Sequence, residues 1–229
     1  MKRQHLLALL ALAALNGCGA DNRSSIEILG RALPTDIKTC EFSGTPNKVI
    51  FGNGTYDVTL GGTPYGIALY VQNNLIDPGT IVPGATTQSK DWSVESVRVR
   101  WNPTEFTDRY KPSPGLAALS GQAVLPVATS ATIAVAEGTG TIIMSVLSDG
   151  MLADLLGATP GETAVLGITL QGRTNDGARL DSSEWPFPIQ VCAGCLNSTV
   201  GPPAVCPTGT TLQPNSCLGL GQIGADICK

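Results

Sequence analysis

Through the middle of the chain, short hydrophobic runs alternate with clusters of Gly, Pro, Asn and Asp. The most regular run covers residues 93–101, where Val97, Val99 and Trp101 alternate with polar side chains. Glu95 is the one misfit on this apolar face. A period of two predicts a β-strand that buries one face and leaves the other in water.

Turn residues divide the rest of this region into further strands. Gly52-Asn53-Gly54 and residues 174–177 each predict a β-hairpin, and residues 137–140 predict another turn. Pro126, Pro186 and Pro188 favour edge strands because proline has no N–H to donate within a sheet. The predicted strands are a short one beginning near Ile26 and residues 49–51, 56–60, 65–75, 93–101, 121–127, 131–136, 141–147, 163–173, 178–181 and 185–191.

Two segments depart from the strand pattern. Hydrophobic side chains recur at helical spacing in residues 149–156, which predicts a short helix that Asp149 caps and Gly157 ends. Such a helix most simply crosses from one sheet to the other. Residues 102–114 are rich in proline and charged side chains, and they predict an exposed crossover loop.

Many short strands with one short helix predict an all-β fold. The expected architecture is an antiparallel β-sandwich of immunoglobulin-like type, built from two sheets and followed by a disulfide-tied C-terminal tail. The cysteine-tryptophan-cysteine core of antibody domains is missing from the sequence. The expectation therefore concerns the architecture and not the antibody family.

The amino terminus has the pattern of an export signal. Lys2 and Arg3 precede ten residues without a polar side chain, about half of the ~20 that span a membrane. The following Leu15-Asn16-Gly17-Cys18 resembles the lipobox of bacterial lipoprotein precursors, from which Asn16 departs. The resemblance implies lipidation of Cys18, cleavage before it, and membrane anchoring through several acyl chains.

The expected location is the cell envelope. Gly19 stands where lipoproteins retained at the inner membrane carry Asp, which favours the outer membrane. Ordinary cleavage after Ala20 is the alternative, and it predicts a secreted or periplasmic soluble protein. Either route takes Cys18 out of the pool of pairing cysteines and leaves six of the seven.

Processing also changes the chemistry of the chain. Removing the first 17 of 229 residues leaves 212, with 12 basic and 18 acidic side chains, so the formal charge of −4 becomes −6. An acidic chain without a basic patch argues against nucleic acid as a partner. His5 is the only histidine, so the mature chain has none for a Ser-His-Asp triad or a histidine metal site. We expect no metal and no other cofactor.

The last 38 residues form a distinct, cysteine-rich segment. It lacks hydrophobic periodicity, and disulfides worth roughly 2 to 4 kcal/mol each would have to stabilise it. Its Cys192-Ala-Gly-Cys195 motif also suits a redox pair or a zinc site, but a redox pair needs a following helix and zinc needs a second close pair. The disulfide candidates are Cys40, Cys192, Cys195, Cys206, Cys217 and Cys228.

The strand that ends in Pro-Phe-Pro-Ile-Gln-Val-Cys, followed by this tail, resembles a class of uncharacterised bacterial lipoproteins with a β-sandwich body. The resemblance implies fold and location but no activity. Six cysteines allow 15 pairings, and Cys40 must pair with the tail if all six are used. The domain prediction is a signal peptide at 1–17, a flexible tether at 18–39, a sandwich at 40–191 and the tail at 192–229.

These observations favour a non-enzymatic, lipid-anchored envelope protein that serves as a binding or structural module. Its partners would be the membrane, through the N-terminal lipid, and another envelope protein or a glycan. The partner would be recognised by Arg98 and Arg100, which lie on the polar side of their strand, or by the loops at one end of the sandwich.

Two enzymatic alternatives remain open. A glycosidase needs two carboxylates across a cleft, and Glu105 with Asp108 are the most clustered pair. A thiol oxidoreductase would act through Cys192 and Cys195. A calcium site in the hairpin at 174–181 is a weaker hypothesis, because a simple turn explains that sequence. A sugar-stacking surface is another, but core packing is the simpler role for the aromatic residues concerned. These are Trp92, Trp101, Trp185, Tyr65, Tyr70 and Tyr110.

Overall fold

The structure is a computed structural model that describes residues 25–34, 42, 49–50, 52–60, 65–75, 90–127, 132–133, 138–195, 212–213 and 227–228. The expected signal peptide, lipidation site Cys18, and disulfide candidates Cys40, Cys206 and Cys217 lie outside these residues. Cys228 is described only as part of a strand.

The described residues form mostly strands. These are β1 (Ile26–Ala32), β2 (Val49–Ile50), β3 (Gly54–Asp57), β4 (Gly66–Asn73), β5 (Trp92–Trp101), β6 (Gln122–Pro126), β7 (Thr132–Ile133), β8 (Gly138–Ser145), β9 (Thr163–Thr174), β10 (Arg179–Asp181), β11 (Trp185–Cys192), β12 (Leu212–Gln213) and β13 (Ile227–Cys228). The helices are α1 (Thr104–Tyr110), α2 (Pro114–Ala117) and α3 (Asp149–Leu156), with a 3-10 turn at Val58–Leu60. Among the described residues, no helix is long and apolar enough to cross a membrane.

Two sheets make up the body of the protein. Sheet I has the order β2-β1-β4-β8, and sheet II has the order β3-β11-β9-β5-β6, with β10 on β9 and β7 on β5. The strands β12 and β13 pair separately. All of these pairs are antiparallel except β3 with β11, which is parallel. The predicted all-β sandwich is confirmed.

One hydrophobic core lies between the two sheets. Sheet I contributes alternate residues of β1, β4 and β8, and sheet II contributes those of β5, β9 and β11. The largest side chains that are fully buried include Trp92, Phe187 and Leu155. Burying such side chains contributes about 1.5 to 3 kcal/mol each, so this core is the main stabilising element of the fold.

The strand β5 confirms the alternating pattern and explains its misfit. Val97, Val99 and Trp101 are buried, whereas the polar residues between them face outward. The register with β9 shifts between Val94 and Ser96, which marks a β-bulge at Glu95. A bulge adds one residue to one strand, so Glu95 reaches solvent although its sequence position falls on the apolar face.

The helix α3 has the predicted bounds, and it leads from β8 in sheet I to β9 in sheet II. Its cap is Ser148 rather than the predicted Asp149, because the Ser148 hydroxyl accepts a hydrogen bond from the Met151 N–H at 3.3 Å. The hairpin of β9 and β10 is also confirmed, with Gly177 at φ 88° in its turn. Glycine reaches this conformation without a steric cost.

Several local predictions were wrong. The residues flanking Gly52-Asn53-Gly54 form no hairpin, because β2 pairs with β1 and β3 pairs with β11. Residues 102–114 contain α1 and the first residue of α2 rather than only a loop, and residues 138–140 begin β8 rather than forming a turn. Long-range pairing therefore overrode the local turn signals.

The strand β11 is an edge strand over only half of its length. The prediction from Pro186 and Pro188 placed it at the edge of the sheet, but it lies between β3 and β9. The parallel partner β3 pairs only with residues from Ile189 to Cys192, so the half that contains both prolines pairs on one side alone. The missing N–H groups are tolerated there because no second strand needs them.

Candidate functional site

The outer surface of sheet II brings together a cluster of polar side chains. We call it the polar face and define it by the six side chains that line an open cavity of about 330 Å³: Arg98, Arg100, Gln122, Thr169, Ser182 and Glu184. They come from three neighbouring strands and from the segment before β11. Local alternation explains the outward position of Arg98 and Arg100, because their sequence neighbours are buried in the core.

Arg100 is the centre of the polar face. Its Nε donates to Glu184 Oε1 at 2.8 Å, and its Nη2 contacts carboxylate oxygens of both Glu184 and Glu105. The bond to Glu184 is the main reason that the pKa of Arg100 lies above its usual value. Glu105 is a fully exposed residue at the start of α1, and its own backbone N–H together with Arg100 lowers its pKa.

Gly167 makes room for this arrangement. A Cβ atom at position 167 would lie 2.1 Å from Glu184 Oε1 and 2.5 Å from Pro103 Cγ. The carboxylate of Glu184 therefore lies directly on the backbone of β9, in space that any other residue would fill. Glycine at this position allows the close approach that pairs Glu184 with Arg100.

Two further guanidinium groups of this surface also have carboxylate partners. Arg98 lies 3.5 Å from Asp181, and Arg173 Nε lies 3.0 Å from Glu95 Oε1. Gln171 connects these pairs, since its Nε2 donates to Asp181 at 3.2 Å and its Oε1 accepts from Ser96 at 3.3 Å. Arg98, Arg100 and Arg173 therefore each have at least one carboxylate partner on this surface.

The structure does not join the predicted glycosidase carboxylates across a cleft. Glu105 and Asp108 lie on the same short helix, α1, and both are exposed. The residue that the structure brings next to Glu105 is Glu184, which shares Arg100 with it. A general acid requires a raised pKa, whereas the pKa of Glu105 is lowered.

The predicted disulfide chemistry is confirmed at one pair. Cys192 and Cys195 form a disulfide with a Cα–Cα distance of 6.0 Å. Cys192 ends β11, and residues 193–195 are bends with Gly194 at φ 72°. The first cysteine thus ends a strand and does not open a helix, whereas the first cysteine of a thioredoxin-like redox pair lies at a helix N-terminus.

A buried carboxylate lies beside this disulfide. Asp57 is opposite Cys192 in the parallel register of β3 and β11. Its Oδ1 accepts hydrogen bonds from the Gly194 N–H at 2.8 Å, the Thr59 N–H at 2.9 Å and the Thr59 hydroxyl at 2.7 Å. Within the described part of the chain, Asp57, Cys192 and Cys195 are also the one group of three or more His, Cys, Asp or Glu residues whose possible metal-ligand atoms lie within 4.8 Å of one another. Because the two sulfurs are joined, this group serves here to hold the turn against β3.

The structure also shows where the residues of the hypothetical calcium site and sugar-stacking surface lie. Asp176 forms an ion pair with Lys90, whereas Asp181 pairs with Arg98, so the two acidic residues of the hairpin contact different cations. Trp92, Trp101, Trp185 and Tyr65 are buried, while Tyr70 and Tyr110 are half-buried. Most of the predicted stacking residues are therefore core residues.

Sequence reasoning missed Glu184, Gly167 and Asp57. The positions of Glu184 and Arg100 are separated by 84 residues, and those of Asp57 and Gly194 by 137. Nothing in the local sequence marks these contacts. Comparison with known proteins adds no assignment, since the chain matches no model of a protein family and no curated protein.

Proposed function

We propose that this protein is a non-enzymatic, lipid-anchored component of the bacterial cell envelope whose β-sandwich binds a neutral glycan on the polar face. The observation that supports the binding site is the ion-pair cluster around Arg100. Its guanidinium is shared by Glu184 and Glu105, and Arg98 is matched by Asp181. These two guanidinium groups and three carboxylates together carry a formal charge of −1 and offer many directional hydrogen bonds.

Neutral sugars suit such a surface because each hydroxyl both donates and accepts. Guanidinium and amide groups would donate to ring or hydroxyl oxygens, and carboxylates would accept from hydroxyl protons. The strands hold these side chains on a rigid sheet, so little conformational entropy is lost on binding. An anionic ligand would instead have to displace Glu184 or Asp181 from its arginine.

The glycan test measures binding of the mature protein to an immobilised panel of neutral and anionic oligosaccharides. We expect retention on neutral members, and a loss of about tenfold in affinity for Glu184→Gln, which removes a charged partner of Arg100. Asp154→Asn, on the exposed side of α3, is the matched control and should bind normally. Equal retention of both variants, or capture of a protein through this face in cross-linked envelopes, would contradict the proposal.

The anchoring part of the proposal rests on the lipobox-like segment and is tested separately. Replacement of Cys18 by Ser should release the protein from the membrane fraction, and mass spectrometry of the wild-type amino-terminal peptide should show an acylated cysteine. Unchanged membrane partition of Cys18→Ser would overturn the lipoprotein assignment and leave the binding site untouched.

A further inference from the structure

One groove of the described structure contains a guanidinium group that no carboxylate compensates. It has a volume of about 190 Å³ and lies at the half of β11 that pairs on one side only. Trp185, Pro186 and Pro188 line it from this strand, and Arg109 and Tyr110 line it from the end of α1. The short stretch 52–53 before β3 completes the wall.

The fold creates the groove because β3 is too short to cover β11. The register joins β3 to β11 only from Ile189 onward, so no strand of the described residues pairs with Trp185 to Pro188 on that side. The two prolines contribute flat apolar surface there and no N–H donors. Trp185 itself stacks on Phe187 at a ring distance of 5.4 Å, which keeps the floor of the groove rigid.

The charge of this groove differs from that of the polar face. Arg109 forms no ion pair with any described carboxylate, whereas Arg98, Arg100, Arg173 and Lys90 all do. Its guanidinium carbon lies 5.3 Å from the centre of the Tyr110 ring, in a cation–π contact that leaves its N–H groups able to donate.

None of the described residues that line the groove is acidic, although the whole chain carries a formal charge of −4. The carbonyl of Asn53, at the wall of the groove, accepts a hydrogen bond from Arg31 at 3.3 Å. A second guanidinium therefore lies behind this wall. The groove combines positive charge with apolar and aromatic surface.

We propose that this groove binds a small organic carboxylate with a flat apolar body. The carboxylate would accept hydrogen bonds from Arg109, and the body would lie against Tyr110 and the two prolines. The groove is smaller than the about 300 to 1,000 Å³ of sites for drug-sized ligands, so its ligand would be smaller than those. This inference is independent of the glycan site, with which it shares none of its lining residues.

The test titrates isotope-labelled mature protein with benzoate and with benzyl alcohol, its uncharged counterpart of similar shape. The reporter is the indole N–H resonance of Trp185, identified by its absence in Trp185→Phe. We expect saturable shifts with benzoate and affinity at least about tenfold weaker for benzyl alcohol. Raising the salt concentration should weaken benzoate binding, because Arg109 is exposed and its charge is screened.

Two variants assign the charge. Arg109→Gln should weaken benzoate binding about tenfold while leaving the weak benzyl alcohol shifts unchanged, and Arg109→Lys should retain most of the affinity. Arg179→Gln, an exposed arginine on β10, is the matched control and should bind like the wild type. No saturable benzoate shift, or equal binding by Arg109→Gln and Arg179→Gln, would overturn the proposal.

A third ligand distinguishes two sources of the same chemistry. N-acetylphenylalanine presents a carboxylate beside a peptide group and an aromatic ring, as the end of a peptide chain does. Tighter binding of this compound than of benzoate would identify the ligand as a peptide carboxyl terminus, and weaker binding would identify it as a free organic acid. Both results support a carboxylate site at Arg109.

Discussion

The carboxylate of Glu184 lies against the backbone of Gly167, in the space that a side chain at position 167 would occupy. This contact carries Glu184 to Arg100 and completes an ion-pair cluster on the outer surface of sheet II. The arrangement requires that residue 167 has no Cβ atom, so even a substitution by alanine should disturb it.

Gly167→Ala should therefore expel Glu184 from its position and lower stability by about 1 to 3 kcal/mol, the usual cost of overpacking. The measurement is denaturant unfolding of Gly167→Ala, Glu184→Ala and the double variant. The double variant should be more stable than additivity predicts, because removing Glu184 relieves part of the clash. The relief is partial since Pro103 also lies close to the introduced Cβ. Additive effects would show that the two residues are independent.

Asn102 should be the most sensitive polar residue of the described core. Its side-chain amide donates to the carbonyls of Leu116 and Leu119 at 2.7 and 3.2 Å, and its Oδ1 accepts from the Val165 N–H at 2.9 Å. Asn102→Ala leaves three backbone groups unpaired, so we expect a loss of about 3 kcal/mol in the free energy of unfolding.

The control for Asn102 is Asn175→Ala, which removes an asparagine from the exposed turn between β9 and β10. That substitution should change stability by no more than about 0.5 kcal/mol. Asn102 also has φ 41°, a left-handed conformation that alanine tolerates poorly. Equal unfolding free energies for the two variants would contradict the anchoring role of Asn102.

The ion pair between Lys90 and Asp176 should make stability depend on acid pH. Lys90 and the Thr174 hydroxyl lower the pKa of Asp176 from 3.8 to about 2. A lowered pKa in the folded state means that the contribution is fully present above about pH 4 and is lost as the pH falls towards 2. Asp176→Asn should therefore flatten the decline in melting temperature across this range.

The matched comparison for Asp176 is Asp154→Asn, whose carboxylate is exposed on α3. Melting temperatures measured between pH 2 and 5 should fall in parallel for this variant and the wild type. A parallel decline for Asp176→Asn as well would show that the ion pair does not form in solution.

Peptide mapping without reduction should recover Cys192 joined to Cys195. Replacing both with Ser should lower stability by about 2 kcal/mol, the entropy that a short disulfide loop removes from the unfolded chain. Asp57→Asn keeps the disulfide and tests the neighbouring hydrogen bonds, and it should reduce protection of the Gly194 amide from hydrogen exchange. Recovery of Cys192 joined to another cysteine would contradict the pairing.

Much of the secondary structure follows from local pattern. The strand at Trp92–Trp101 and the helix at Asp149–Leu156 could be predicted because burial of one face imposes a period that the residues themselves display. Local turn chemistry likewise determines the hairpin with Gly177 in its turn. The wrong prediction at Gly52-Asn53-Gly54 had the same basis, since a turn signal cannot state which strands will pair.

The sequence by itself determined the sandwich class, the helix α3 that connects the two sheets, and the outward position of Arg98 and Arg100 on β5. Only the tertiary structure decided that β3 runs parallel to β11, that Asp57 meets the turn of the disulfide, and that Glu184 reaches Arg100 over Gly167. Periodicity acts between neighbours along the chain, whereas these contacts join residues 84 or more positions apart. Their geometry exists only after both sheets have packed on the common core.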